Sequence, residues 1–328
     1  MKAVYIAEFG GVDNLEIREV PDPPQTENTQ VLVRVKAAGL NRADLLQVRG
    51  AYPPPAGYSP NIPGLEFAGE VVAVGHSVQN WEIGDRVFGI TAGEAQAEFL
   101  VTDETLLAQI PGNLSFVEAA AVPEAFITAH DAIFTLGYLK QDETVLIHAV
   151  GSGVGLAALQ LAKAKGAFVI GTSRTADKLE KCKEFGLDAA ILIGNGAEFA
   201  SAVEESIGGQ GVDVILDLVG AAYFQQNLES LALKGRLILV GLTSGRTAEF
   251  NLGMALQKRL TITGTVLRGR PTHEKAEVTR KFVAEVVAHL TSGKVRPTVD
   301  RVFAAGNAVA AYKYLESNES FGKVILEF

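Results

Sequence analysis

The sequence predicts an α/β protein that joins a β-rich part to a doubly wound parallel sheet. Three observations predict it. The texture of the chain changes at about Ser115, from short strand-like runs to alternating strand and helix patterns. The alternating strands are continuously apolar, as a parallel sheet covered on both faces requires. One of them runs into a glycine-rich turn that opens a helix.

The elements follow in order. Residues 3–6, 31–35, 69–74 and 86–89 are apolar or alternating runs bounded by Gly, Pro, Asn and Asp, and read as strands. Residues 21–24 form a stiff connection. A longer loop, 52–63, carries Pro53, Pro54, Pro55, Pro60 and Pro63. Each proline fixes φ and removes an N–H donor, so the loop is neither helix nor central strand. Long ordered loops often carry function. Ser115 and Glu118 make an S-x-x-E capping box ahead of an Ala-rich helix, and 126–136 continue the helical pattern. Strands are expected at 144–149, 168–172, 189–193, 212–216 and 237–240. Helices are expected at 155–165 and 177–185, the second with Asp177 as its N-cap. After about Thr265 the alternation stops, and a long helix at 274–292 precedes short strands near 298–303 and 323–327. The pattern divides the chain into 1–120, 121–266 and 267–328, with the two outer segments forming one domain. The β-branched run 260–266 is expected at an edge of the parallel sheet, where open backbone invites pairing into a homodimer.

Composition narrows the classes. The 328 residues are 48% hydrophobic, enough for two cores. A net charge of −9 with no long basic stripe argues against a nucleic-acid surface. Cys182 is the single cysteine, which excludes an intrachain disulfide and the Cys-rich kind of zinc site. It is expected to be partly buried in its helix. No apolar run reaches the ~20 residues of a membrane span, and the N-terminus lacks the build of a signal peptide. A cytoplasmic protein with no membrane partner is expected. His76, His130, His148, His273 and His289 are scattered and read as structural.

Residues 145–163 carry the most information. An apolar strand passes through Ala149-Val150-Gly151-Ser152-Gly153-Val154-Gly155 into an amphipathic helix. Glycines let a backbone approach a pyrophosphate, and the first N–H groups of the helix face it, which points to Ser152, Gly153 and Val154. The strict G-x-G-x-x-G spacing would need glycine at 150 and 152, where the chain has Val150 and Ser152. An ordinary tight turn is the alternative. The next strand ends in Thr172-Ser173-Arg174, without the acid that grips a ribose 2′-hydroxyl in NAD sites. Ser173 and Arg174, with Lys178 one turn further on, suit the 2′-phosphate of NADPH. A solvated Arg and Lys at a loop are the alternative.

Several further segments resemble the medium-chain dehydrogenase/reductase superfamily, in particular its zinc-free quinone oxidoreductases. They are LNRADL from Leu40, the G-x-E-x-x-G-x-V element from Gly64 to Val71, GDRV from Gly84, and PEAFITA from Pro123. The last, with Ser152-Gly153-Val154-Gly155, is most similar to the branch containing the tumour-suppressor-inducible quinone oxidoreductase. The resemblance runs the whole chain and implies a GroES-like β-rich catalytic domain plus a Rossmann domain. Zinc alcohol dehydrogenases of the superfamily use a Cys where this chain has Asn41 and a His where it has Leu65, so the resemblance implies no metal.

The resemblance implies further roles. Asn41 and Tyr52 would face the substrate, Tyr52 bonding the acceptor oxygen. Capping the helix at Arg42 is the other role open to Asn41, and packing in its loop the other open to Tyr52. Thr128 would contact the nicotinamide or its phosphate, and Gly241, Leu242, Val266 and Leu267 would frame the ring. Lys323, in a G-K-V element, would approach the cofactor or lie on the surface. Glu66 reads as a structural hydrogen-bonder. The family branch often has a Tyr at the end of the third Rossmann strand, where this chain has Ile193. The implied activity is zinc-independent hydride transfer from NADPH to a quinone, a small-molecule partner. An enone or enal double-bond reductase is the second reading. A low-turnover NADPH-binding, crystallin-like protein is a third, of another class.

Overall fold

A computed structural model describes residues 1–194 and 198–328. The chain divides into two compact units, Met1–Ile127 with Leu267–Phe328, and Thr128–Val266.

The first unit opens with a small antiparallel pair, β1 (Lys2–Ile6) and β2 (Leu15–Glu19). β3 (Gln30–Gly39) leads into helix α1 (Arg42–Val48), and the proline-rich loop then delivers the chain to β4 (Glu66–Val74). β5 (Arg86–Ile90), β6 (Phe99–Asp103) and β7 (Leu107–Gln109) complete the forward strands. Alternation turns Val31, Val33 and Val35 of β3 onto one side, where they pack with Phe67, Val71, Val87 and Leu100. The capping box at Ser115 and Glu118 closes as expected ahead of the short helix α2 (Phe116–Ala119). Helix α3 (Pro123–His130) follows and continues as a π-helical turn, Asp131–Leu136.

In the second unit β8 (Thr144–Ile147), α4 (Gly153–Lys165), β9 (Phe168–Ser173), α5 (Ala176–Cys182), β10 (Ala189–Leu192), α6 (Ala200–Ile207), β11 (Val212–Asp217), α7 (Phe224–Ser230), β12 (Leu231–Leu239), α8 (Leu252–Lys258) and β13 (Thr261–Gly264) succeed one another. The six strands form one parallel sheet in the order β10-β9-β8-β11-β12-β13. Val145, Leu146, Ile147, Val169, Ile170, Val214, Ile215, Leu216, Leu237 and Ile238 have no exposed surface, which is why their strands read as continuously apolar. β13 is the edge strand that its β-branched run predicted.

The chain returns to the first unit with α9 (Thr272–Thr291), β14 (Val299–Ala304), α10 (Ala308–Glu316) and β15 (Lys323–Glu327). β15 pairs antiparallel with β3 and completes a seven-stranded sheet, β14-β15-β3-β4-β5-β7 with β6 also on β3. Phe282 of α9 meets Phe88 of β5 edge-on, 6.1 Å between ring centres.

Four local expectations are corrected. α5 starts one residue before Asp177, with Thr175 at its N-cap, so Asp177 lies in the first turn. Cys182 is fully buried rather than partly so, and burial pushes its thiol up to about 12. β12 starts at Leu231, six residues earlier than its apolar run, because Val212 pairs with Leu231 ahead of a register shift. Helix α10 was not expected at all. Its Ala308, Ala311, Tyr312 and Leu315 make an i, i+3, i+4, i+7 stripe that fills a core with Val4, Ile6, Leu40, Leu45 and Val324.

Candidate functional site

Chemistry-bearing residues gather in each unit. In the first, β3 ends at Gly39 and the chain turns through Leu40 and Asn41 into α1. Asp44, in the first turn, accepts the Asn41 N–H at 2.8 Å and the Gly64 N–H at 3.1 Å. Gly64 has φ +111°, and a Cβ there would stand 2.6 Å from the Gln96 nitrogen, so glycine alone lets this N–H turn toward Asp44. Glu66 opens β4 fully buried. Its Oε1 accepts the Asn41 side-chain amide at 2.9 Å and the Lys323 ammonium, and its Oε2 accepts the Glu124 N–H at 2.8 Å. Lys323 also donates to Leu40 O and Asn41 Oδ1, each at 2.7 Å. The LNRADL, G-x-E and G-K segments thus close on one another. Buried charge is costly unless paired and hydrogen-bonded, and here it is both. Burial raises the Asp44 carboxyl to about 6, opposed by the Asn41 N–H and by the charges of Arg268 and Lys323.

Arg268 holds the proline-rich loop against this cluster. It is buried, with Nε on Ala92 O at 2.7 Å, Nη1 on Tyr52 O at 2.9 Å and Nη2 on Gln47 Oε1 at 2.5 Å. Gln47 in turn donates to Pro60 O at 2.8 Å. The guanidinium carbon stands 5.1 Å from the centre of the Tyr52 ring. Tyr52 is half-buried, and its hydroxyl has no hydrogen-bond partner among the described residues. Burial and, less strongly, the Glu124 carboxyl raise its pKa, while Arg268 lowers it. Glu124 itself is raised to about 8, first by burial and then by the charge of Glu66, against the pull of Lys323 and Arg268.

The second unit presents the glycine turn. Ala149, at the end of β8, adopts φ +48°, and Ser152 caps α4 by accepting the Gly155 N–H at 3.1 Å. A Cβ on Gly155 would lie 2.5 Å from Ala149 O, so the helix abuts the strand only because this residue is glycine. The first N–H groups, at Gly153 and Val154, lack intrahelical acceptors by helix geometry and suit an anion. At the end of β9, Ser173 is buried and accepts the Thr175 N–H at 3.1 Å, and Arg174 is exposed, within electrostatic reach of Tyr223. Lys178 is half-buried on α5. Behind the turn His148 bridges Thr172 Oγ1 at 2.8 Å and Asn227 Oδ1 at 2.6 Å, and Asn227 donates to Asp217 at 3.0 Å. That histidine is structural.

The remaining expected residues fall as follows. Thr128 is half-buried in α3, Gly241 follows β12 with its N–H on Asp217 O at 3.1 Å, and Leu242 and Val266 are exposed. Leu267 is buried. Lys323 is neither at the surface nor left with a free donor, since its three bonds go to Leu40, Asn41 and Glu66. Asn41 is the N-cap residue of α1, its N–H held by Asp44, while its side chain serves Glu66 and Lys323. Arg268 and Glu124 were not singled out from the sequence. A lone Arg in a crossing segment carries no pattern that would mark it, and Glu124, though inside the PEAFITA segment, is not set apart there from its neighbours.

Among the described residues no group of three or more His, Cys, Asp or Glu side chains converges as a metal site, and no helix is long and apolar enough to cross a membrane. Residues 27–132 match the family described as alcohol dehydrogenase GroES-like domain, and 153–285 the family described as zinc-binding dehydrogenase. The chain is 32% identical to quinone oxidoreductase-like protein 2 of Mus musculus, covering 95% of this chain and 88% of that protein. It is 35% identical to erythronolide synthase EryA2 of Saccharopolyspora erythraea over 97% of this chain, which spans 8% of that protein's length. A mycobacterial structure complexed with NADPH superposes with TM-score 0.90 at 30% identity, covering all of both chains. The CurK enoyl reductase superposes with TM-score 0.87 at 26% identity, covering 99% of this chain and 98% of that one.

Proposed function

This chain belongs to the medium-chain dehydrogenase/reductase superfamily, and on that premise we propose that it is an NADPH-dependent, zinc-independent reductase of quinones. The observation that carries the reading is the pair of features in the second unit: a capped glycine turn, followed by a strand end with Ser173 and exposed Arg174 in place of an acid. Ser152, Gly153 and Val154 would hold the pyrophosphate, and Ser173, Arg174 and Lys178 the 2′-phosphate. Thr128, Gly241, Leu242, Val266 and Leu267 would bound the nicotinamide. The bound cofactor supplies the hydride, and the chain supplies position and electrostatics.

In the first unit the donor set does not fit zinc. The Asn41 amide is held by Glu66 and Lys323, and Leu65 is a buried hydrocarbon. Asn41 is then part of the wall that Lys323 braces. Tyr52 offers its unpartnered hydroxyl to the acceptor oxygen, where charge grows as reduction proceeds. Reduction of an enone double bond is the second reading, favoured by the likeness to the CurK enoyl reductase.

Purified protein incubated with NADPH and a panel of ortho- and para-quinones, enones and enals separates these readings. NADPH oxidation is expected with quinones foremost, and enones foremost would favour the second reading. Arg174→Ala should weaken NADPH binding by about 1–3 kcal/mol, the scale of a charged hydrogen bond, and leave NADH binding almost unchanged. Equal losses for both cofactors would make Arg174 structural.

We also propose a homodimer joined through the edge strand β13. The exposed Leu242, Leu252, Leu256 and Val266 of the same unit favour it. Light scattering at micromolar concentration should give twice the chain mass, and a monomer would refute the dimer.

A further inference from the structure

The charged side chains around Asn41 differ in how fully they are bonded. Asp44 holds two backbone N–H groups, and Glu66 holds the Asn41 amide, the Lys323 ammonium and the Glu124 N–H. Arg268 spends all three nitrogens on Ala92, Tyr52 and Gln47. The Glu124 carboxyl, by contrast, has no hydrogen-bond or ion-pair partner among the described residues. Its backbone N–H is bonded to Glu66 Oε2, which fixes where the side chain leaves the helix. Unlike Asp44 and Glu66, which have no exposed surface, it keeps some contact with solvent.

We propose that the Glu124 carboxyl group donates the proton that completes reduction of the acceptor. This rests on the reductase reading above. Hydride brings the acceptor an electron pair and leaves negative charge on its oxygen. The Glu124 O–H bond breaks, a new O–H bond forms on the acceptor, and the electron pair stays on the carboxylate. One proton from solvent restores the acid, so each NADPH consumed takes up one proton.

The groups facing Glu124 explain why it can hold a proton at neutral pH. Burial and the carboxylates of Glu66 on β4 and Asp44 on α1 disfavour its anion and raise it to about 8. Lys323 on β15, Arg268 in the return segment and the buried Lys275 on α9 work the other way, without bonding to it. Tyr52, on its loop, is the remaining titratable neighbour. An acid poised near the working pH is the one best suited to general acid work.

Two measurements test this. In the protein without cofactor, carbon-13 NMR of glutamate side-chain carboxyls should show one group titrating near pH 8 that is absent in Glu124→Gln. No such group, with Glu124 titrating in the ordinary range below pH 5, would overturn the proposal whatever the substrate is. With NADPH and the best quinone, kcat of the parent should fall as pH rises through about 8. Glu124→Gln should lose about 100-fold in kcat, lose that alkaline limb and lose the solvent deuterium isotope effect, with NADPH binding unchanged. Glu124→Asp keeps a proton and should recover part of the rate. A Glu124→Gln variant within twofold of the parent, with the same limb, would overturn the donor role alone. A parent that oxidises NADPH with no quinone, enone or enal would overturn the reductase reading, and the donor role with it.

Discussion

The hydroxyl of Tyr52 is the donor that the resemblance predicts, and two features of its setting define what it can do. Arg268 holds the Tyr52 carbonyl and lies over its ring, and the hydroxyl itself is unpartnered among the described residues. A donor already in place stabilises charge that develops only in the transition state, and so raises the rate rather than ground-state binding. Replacing Tyr52 with Phe keeps the ring and removes the donor. Turnover should fall ~10–100-fold, less than for a buried oxyanion donor, because the half-buried hydroxyl leaves room for water to substitute. NADPH affinity should stay unchanged. Steady-state kinetics checks this, and turnover within twofold of the parent would remove Tyr52 from the mechanism. At this scale the resemblance singled out Asn41 and Tyr52 and left Lys323 between the cofactor and the surface. A lysine in a short glycine-lysine element looks the same whether it meets a cofactor or a buried carboxylate. What distinguishes them is Glu66, 257 positions away, which the fold alone brings to its ammonium.

Among the elements, the proline-rich loop is tied to the rest of its unit at several points: Asn61 to Ile6, Ser59 and Ile62 to Glu94, Pro63 to Gln96, and Tyr52 to Arg268. Prolines make the segment stiff but give it few N–H donors of its own, so it must be tied by groups from elsewhere. Arg268 ties Tyr52 directly and Pro60 through Gln47. Substituting Arg268 with Met keeps bulk and removes every donor, leaving Ala92 O and Gln47 Oε1 buried without it. Stability to urea should drop by about 3–5 kcal/mol, the scale of breaking a buried charged network. Proteolysis within 52–63 should quicken with it. A variant that is destabilised but no more cleavable in the loop would show that Arg268 serves the core rather than the loop. Element prediction succeeded where the pattern was strong, as in the unbroken apolar runs of β8 and β9 and the helical period of α9. It failed at α10, whose four apolar positions make a short stripe that gains meaning only against the core they fill.

For the whole molecule, the raised carboxyl of Glu124 makes stability depend on pH. An unfolded glutamate releases its proton near 4.5, whereas the folded protein keeps this one until about 8. Between those values the folded state binds more protons, so the stabilisation is full below 4.5 and is lost as pH rises through 8. Asp44 acts with the same sign but finishes near 6. His148, lowered by burial, acts with the opposite sign, and its effect lies below the ordinary histidine value of 6.5. From pH 7 to 8, of these three groups only Glu124 contributes appreciably, and stability should fall by about 1 kcal/mol over that unit, levelling off above. Urea denaturation at pH 7, 8 and 9 measures it, with Glu124→Gln expected to be flat. An equal slope in both proteins would show that other groups set the pH dependence.

The sequence by itself determined the fold class, the parallel order of texture in the second unit and the glycine turn that opens α4. Each is a local matter: strand burial on both faces writes itself as an unbroken apolar run, and a tight turn at a helix start requires glycine at Gly155 because the strand's own carbonyl lies there. The tertiary structure decided which polar residues are committed and which remain free. Asn41, Glu66, Lys323 and Arg268 spend their bonds on groups far away in the chain, and Tyr52 and Glu124 are left with theirs to give. The reason is that a hydrogen bond across two hundred residues leaves no periodicity in a sequence. It is fixed only when strands, loops and the return segment bring donor and acceptor within 3 Å and exclude the water that would otherwise satisfy both.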